Sequence, residues 1–243
     1  MFRLHALAAT NGDSILIEYG AASQPNRILI DGGTAGTADR IREKAFDGLA
    51  GSFELVVVTH VDNDHIAGVL NLYESDDVRI NARDVWFNGF RHLPESDLES
   101  LGPVQGERLT VQLARPGVSW NADFGGRAVG VANDREPRRR VMPGGISVTV
   151  LTPSAVELAN LKGVWTDVVR DAGLDPRRKV APPDAPGGLE RLGEPELPDV
   201  AKLAATTFVE DDKPANGTSI ALLLEFEDKR VLVSGDAQPC LLY

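Results

Sequence analysis

Within six residues, His60-Val61-Asp62-Asn63-Asp64-His65, the chain places four side chains of the types that bind metal ions. The run follows Glu54-Leu55-Val56-Val57-Val58, a β-branched stretch with the pattern of a strand buried on both faces. It precedes Ile66, Val69, Leu70 and Tyr73, which recur at helical spacing. The run therefore belongs on a strand-to-helix loop, where rigid elements hold polar side chains against a ligand. Side chains alternating along extended chain point to one side, so His60, Asp62 and Asp64 can converge. His65, at the start of the helix, can turn toward a second ion nearby. The competing reading is a solvated polar loop. Four ligand-type groups at that density, directly after a buried strand, argue against it.

The flanking sequence reads as alternating strands and amphipathic helices. Phe2 to Leu7, Ser14 to Tyr19 and Arg27 to Ile30 read as strands, the first two joined by a turn through Asn11-Gly12-Asp13. Asp31-Gly32-Gly33 stops the third. Residues 37 to 50 switch to helical period, with Ile41, Ala45, Phe46 and Leu49 on one face. Val85-Trp86-Phe87 and Ile146 to Leu151 read as further strands, and Leu101 to Leu113 as containing a helix. Pro153 and Ser154 open another helix carrying Val156, Leu158, Leu161, Val164, Trp165 and Val168. Residues 171 to 200, rich in proline, glycine and charge, read as a mobile excursion. Ser219 to Phe226 and Lys229 to Ser234 form a hairpin across Glu227-Asp228, and that hairpin delivers Gly235-Asp236. Strands alternating with helices, with two polar clusters far apart in sequence, predict an α/β (α+β) sandwich of two sheets with helices outside and the cluster at one edge.

Composition narrows the function. A chain of 243 residues can bury a full core, so one domain spanning residues 1 to 243 is expected, with an irregular insertion at about 80 to 210. No apolar run reaches the ~20 residues of a membrane span, and no signal-peptide pattern opens the chain. A cytoplasmic protein without membrane contact is expected. The single Cys240 excludes an internal disulfide and any cysteine-clustered zinc site, and reads as a small buried hydrophobe. A net charge of −11 argues against tight non-specific binding of nucleic acid. Two local basic clusters, Arg135 with Arg138, Arg139 and Arg140, and Arg177 with Arg178 and Lys179, read as solvated loops.

Thr59-His60-Val61-Asp62-Asn63-Asp64-His65-Ile66-Ala67-Gly68 resembles the His-x-His-x-Asp-His signature of the metallo-β-lactamase superfamily, with Asp62 in place of the second histidine. The His-x-Asp-x-Asp-His form is similar to that of the metallo-hydrolase domain of competence channel proteins for DNA uptake. Asn11-Gly12-Asp13-Ser14-Ile15-Leu16-Ile17, Ile30-Asp31-Gly32-Gly33, Asn216-Gly217-Thr218-Ser219 and Ser234-Gly235-Asp236 resemble further segments of that group in order and spacing. The resemblance covers residues 1 to 75 and 214 to 238. It implies an αβ/βα metallo-β-lactamase-like sandwich in which His60 and Asp62 bind one metal, Asp64 and His65 the other, and Asp236 bridges both. Asp64 and Asp31 become the candidate catalytic carboxylates, with Asp31 placed to orient a ligand by hydrogen bond. Asn216 becomes a weak oxygen ligand, a substrate contact or a turn residue, and Ser219 a structural one. His5 and His92 are not expected to bind metal. The family's last histidine ligand, beyond the Gly-Asp segment, has no counterpart, and neither do its final strands and helix. A C-terminal fragment or a partner chain completing the sheet is therefore expected.

Three carboxylates and two histidines form a hard, oxygen-rich set that favours Mn²⁺ or Mg²⁺, although zinc binds well wherever it is available. Two such divalent metal ions could hold a bridging hydroxide and stabilise both oxygens of an in-line displacement. The first function expected is thus a metal-dependent phosphodiesterase or nuclease, with nucleic acid as substrate. The alternatives are a hydrolase of a small ester, lactone or lactam, and a latent non-catalytic module.

Overall fold

The computed structural model describes residues 1–94, 104–131, 137–171 and 213–238. The excursion at 171 to 200, the cluster at Arg177 and Cys240 fall essentially outside these residues. Three strands open the fold as an antiparallel meander: β1 (Phe2–Ala6), β2 (Ile15–Ala21) and β3 (Gln24–Ile30). Two more, β6 (Leu55–Val57) and β8 (Val85–Trp86), add in parallel to give the order β1-β2-β3-β6-β8. A second, antiparallel sheet has the order β12-β11-β10-β9, with β9 (Arg138–Val141), β10 (Ser147–Val150), β11 (Leu222–Phe226) and β12 (Lys229–Val233).

Side-chain alternation builds two cores from the first sheet. Ile17, Tyr19, Ile28, Ile30, Leu55, Val57 and Trp86 face one way and pack with Val148, Val150, Leu222, Leu224 and Val233 of the second sheet. Leu16, Leu29, Val56, Val58, Val85 and Phe87 face the other way. There they meet α1 (Thr37–Ala45), α2 (Asn63–Glu74), α3 (Val104–Leu113) and α4 (Ala155–Asp171). The centre of the first sheet, from residues 28–30 through β6 to β8, is therefore buried on both faces, which is why these segments read as short continuous apolar runs rather than as alternation. Each fully buried side chain of this kind contributes on the order of 1.5–3 kcal/mol.

Several expectations are corrected. The helix expected over 37 to 50 ends at Ala45, and the chain turns into a three-stranded sheet of β4 (Phe46–Asp47), β5 (Ala50–Phe53) and β7 (Arg79–Ala82). Gly48, at φ +61, makes the turn, and Leu49 is exposed rather than on a buried helical face. Within the stretch expected as an irregular insertion, the strands expected at residues 85–87 and 146–151 form as β8 and β10, and β9 joins β10 in the second sheet. Arg138, Arg139 and Arg140 are not a loop: they form the edge strand β9, paired antiparallel with β10. An arginine-rich edge strand resists pairing with other chains, so it carries no hydrophobic signal to read.

The parallel arrangement of β3, β6 and β8 decides where a site can form. Asp31 follows β3 and Thr59-His60 follow β6, at the carboxyl ends of adjacent strands, where loops converge in open sheets. Asp31 N–H donates to Val57 O at 2.8 Å and carries the strand pairing right up to the site. The β11–β12 hairpin brings Asp236 in from the second sheet. Among the described residues, no helix is long and apolar enough to cross a membrane.

Candidate metal centre

The His60 to His65 loop is pinned from beneath by glycine contacts. Gly32 N–H donates to His65 O at 2.7 Å, and Gly68 N–H donates to Gly33 O at 3.1 Å. A Cβ on Gly68 would lie 2.0 Å from Gly32 O, so this helix turn and the β3 turn touch through backbone alone. Gly12 approaches equally closely, since a Cβ there would fall 1.9 Å from Asp64 O. On the outer side, Gln105 Nε2 of α3 donates to Asn63 Oδ1 at 3.2 Å.

Two histidines and an aspartate meet in this frame. Ligand atoms of His60, His65 and Asp236 all lie within 4.8 Å of one another, the one such group among the described residues. His65 Nε2 lies 3.5 Å from Asp236 Oδ1, and His60 Nε2 lies 4.0 Å from Asp236 Oδ2. Asp62 Oδ2 lies 3.8 Å from His60 Nε2. Asp62 also occupies the N-cap of α2, yet its side chain makes no capping bond. An N-cap aspartate usually stabilises its helix by about 1 kcal/mol; this one faces the histidine instead. Both rings are buried and their centroids are 4.2 Å apart.

Asp31 lies under the pair. It is fully buried and sits at φ 58, a left-handed conformation that aspartate tolerates better than most side chains. Its Oδ1 accepts from Thr59 N–H at 2.7 Å, and its Oδ2 accepts from Thr59 Oγ1 at 2.7 Å and from His65 Nδ1 at 2.9 Å. With both oxygens taken, Asp31 is placed to orient a histidine rather than to meet a substrate. His60 Nδ1 lies 2.9 Å from Thr59 Oγ1 and 3.3 Å from Ser219 Oγ.

The electrostatics follow from two imidazoles buried among carboxylates. Burial and the charge of His65 push the His60 pKa down, against the pull of Asp31, Asp62 and Asp236. At His65 burial also pushes down, but the Asp31 hydrogen bond and the charges of Asp31, Asp236 and Asp64 outweigh it and carry the pKa up to about 9. His60 Nε2 is buried with no hydrogen-bond partner. A bare imidazole nitrogen facing two carboxylates is the donor a divalent cation requires. The residues fit a metal ion.

A family profile described as the metallo-beta-lactamase superfamily matches residues 9–239. The chain belongs to the metallo-beta-lactamase superfamily. Members of the superfamily are mostly metal-dependent hydrolases, and the His/Asp cluster lies where this member's motif residues meet. A solved structure of a Cronobacter sakazakii (Enterobacter sakazakii) metallo-beta-lactamase HARLDQ motif mutant, S60, is similar at 16% identity and a TM-score of 0.34. That match covers 61% of this chain and 49% of the other, so this chain matches about half of that protein's length. A comparison with curated protein sequences returns no match.

Of the superfamily motif, the structure brings His60, His65, Asp62 and Asp236 together. Asp64, in the first turn of α2, acts on His65 through its charge. Asn216 is buried in a helical turn, Pro214–Gly217, and its backbone oxygen accepts from Ser219 N–H at 3.0 Å. His5 and His92 lie elsewhere: His5 Nε2 pairs with Glu18 Oε2 at 3.2 Å, and His92 Nδ1 accepts from Gly89 N–H at 3.2 Å. The sequence reading missed the hydroxyl of Thr59 and treated Ser219 as merely structural. The Thr59 signal was its place between the strand and His60; Ser219 offered none, because it touches a residue 159 positions away.

Proposed function

We propose that the chain is a metal-dependent phosphodiesterase, with nucleic acid among its substrates, working with two divalent cations on His60, Asp62, Asp64, His65 and Asp236. One observation carries this reading: His60 Nε2 is buried, has no hydrogen-bond partner, and lies 3.8 Å from Asp62 Oδ2 and 4.0 Å from Asp236 Oδ2. A buried polar atom left unpaired costs about 1–3 kcal/mol, which a cation shared with the carboxylates would offset.

When bound, such cations polarise a phosphoryl oxygen and stabilise charge on the attacking and leaving oxygens. The chain's own residues do the positioning. His60 and His65 supply nitrogen donors held from below, and Asp31 stays beneath them, away from solvent. The Asp62 and Asp236 side chains are 35% and 41% exposed, so they lie on the side from which a substrate approaches. The carboxylate-rich set favours Mn²⁺ or Mg²⁺, with zinc competing by affinity. Hard cations between carboxylates suit phosphate oxygens.

The net charge of −11 favours a second reading, hydrolysis of a small ester, lactone or lactam, because a polyanion is repelled by an acidic surface. The two separate in a single panel. The purified chain, loaded with Mn²⁺ or Zn²⁺, is assayed on bis(p-nitrophenyl) phosphate, single- and double-stranded DNA, a simple lactone and a lactam. Chelator-sensitive cleavage of the phosphodiesters supports the first reading, and cleavage of the lactone or lactam alone supports the second. Bound metal with no turnover of any of them would leave a latent metal-binding module.

A further inference from the structure

Asp31 reaches both histidines, one directly and one through a hydroxyl. Its Oδ2 accepts hydrogen bonds from His65 Nδ1 at 2.9 Å and from Thr59 Oγ1 at 2.7 Å. Thr59 Oγ1 in turn lies 2.9 Å from His60 Nδ1. A hydroxyl has one proton to donate, and Thr59 directs it to Asp31. The Thr59 oxygen is then left to accept, which favours the His60 tautomer with its proton on Nδ1.

We propose that Thr59 is a positioning residue that relays Asp31 to His60 and fixes the ring with Nδ1 protonated and the Nε2 lone pair toward Asp62 and Asp236. Ser219 supports the same arrangement from the second half of the chain. Its Oγ stands 3.3 Å from His60 Nδ1, and its backbone is hydrogen-bonded on both sides. Thr152 Oγ1 donates to Ser219 O at 2.7 Å, Ser219 N–H donates to Asn216 O at 3.0 Å, and Ile220 N–H donates to Thr59 O at 3.0 Å. One carboxylate oxygen therefore sets the tautomer of both imidazoles, and sequence-distant Ser219 closes the cage around the second. With the opposite tautomer, a proton would occupy His60 Nε2, and the Thr59 and His60 lone pairs would face each other at 2.9 Å.

The inference rests on the metal-binding reading only where affinity is measured, so its test has two arms. The first is ¹⁵N NMR of the metal-free parent at a pH where His60 is neutral. A protonated Nδ1 on His60 is expected, and an Nε2-protonated ring would overturn the relay whether or not the chain binds metal. The second arm compares Zn²⁺ affinity by chelator competition in the parent, Thr59→Val, Thr59→Ser and Ser219→Ala, with thermal unfolding of each metal-free protein as control. Thr59→Val keeps the backbone bond to Asp31 and should weaken binding about 10- to 100-fold, the range for removing a group that orients a metal ligand. Thr59→Ser should restore most of the affinity, and Ser219→Ala should lose less than Thr59→Val does. Parent-like affinity in a folded Thr59→Val protein would overturn the proposal. Should that variant fail to fold, the NMR result on the parent still decides it. A parent that shows Nδ1 protonation but binds no metal would sink the metal reading alone.

Discussion

Asp31 Oδ2 and His65 Nδ1 are joined at 2.9 Å inside a fully buried pocket, so the first polar residue after β3 fixes a ring at the start of α2. The bond can form because β3 and β6 run parallel and in register, with Ile30 beside Val57. An orienting bond of this kind holds a ligand for its ion and raises its basicity. Asp31→Asn keeps the shape and tolerates the left-handed backbone, but its amide can offer His65 a proton where the carboxylate accepts one. Divalent-metal affinity of Asp31→Asn is expected to fall at least about tenfold, with the fold retained by circular dichroism. Unchanged affinity by titration calorimetry would show that His65 needs no such partner.

Metal should also act on stability. A ligand that binds only the folded chain stabilises it by about 2.7 kcal/mol at one hundred times its Kd. Unfolding midpoints of the parent should therefore rise with added Zn²⁺ or Mn²⁺, and those of His60→Ala should rise far less. His60 is buried against His65, so its removal leaves a gap whose cost is read from the metal-free unfolding midpoint, and the comparison rests on the metal-induced shift alone. Equal metal-induced shifts in both proteins would remove His60 from the ligand set.

Gly68→Ala tests the frame beneath the site. The added Cβ would fall 2.0 Å from Gly32 O, a backbone atom that cannot swing aside. Forcing the helix from the turn should cost about 1–3 kcal/mol or more in urea unfolding and weaken metal binding as well. Gly48→Ala, where a Cβ meets nothing within 4 Å, is the control: it carries only backbone strain at φ +61 and should leave metal affinity unchanged. Gly68→Ala unfolding within about 0.5 kcal/mol of the parent, the range of neutral surface changes, would mean the contact is soft.

His92 gives a pH signature away from the metal. Burial, then the charge of Arg91, lowers its pKa from 6.5 to about 4. The folded chain therefore holds it neutral where the unfolded chain would protonate it. This contribution is fully present above pH 6.5 and is lost as pH falls from there through about 4. The loss amounts to at most about 3 kcal/mol at 1.36 kcal/mol per pKa unit. A His92→Asn protein should show a shallower fall in unfolding free energy across that window than the parent. Parallel pH profiles would contradict the assignment.

Much of the site could be read from the sequence because it is local. His60, Asp62 and His65 lie within six residues across one strand-to-helix junction, and Leu55, Val56 and Val57 announce the buried strand before it. The two-sheet core was legible for a similar reason, since Ile28 to Ile30 and Leu222 to Leu224 are apolar on neighbouring positions. The small sheet of β4, β5 and β7 was not. Its strands are two to four residues long and turn at Gly48, too short to set a period. The arginines of β9 hid a strand because an edge needs no apolar face on its outer side. Thr59 and Ser219 were missed for another reason: a hydroxyl gains its role from the atoms it meets, and those come from β3 and from a segment on the far side of the chain.

The most direct test of the central claim is metal stoichiometry by elemental analysis after Mn²⁺ or Zn²⁺ loading, compared between the parent, His60→Ala, His65→Ala and Asp236→Asn. The parent should retain divalent metal through desalting, and each variant should lose most of it while keeping its fold. A parent that retains none, or variants that retain as much as the parent, would contradict a metal centre built on His60, His65 and Asp236.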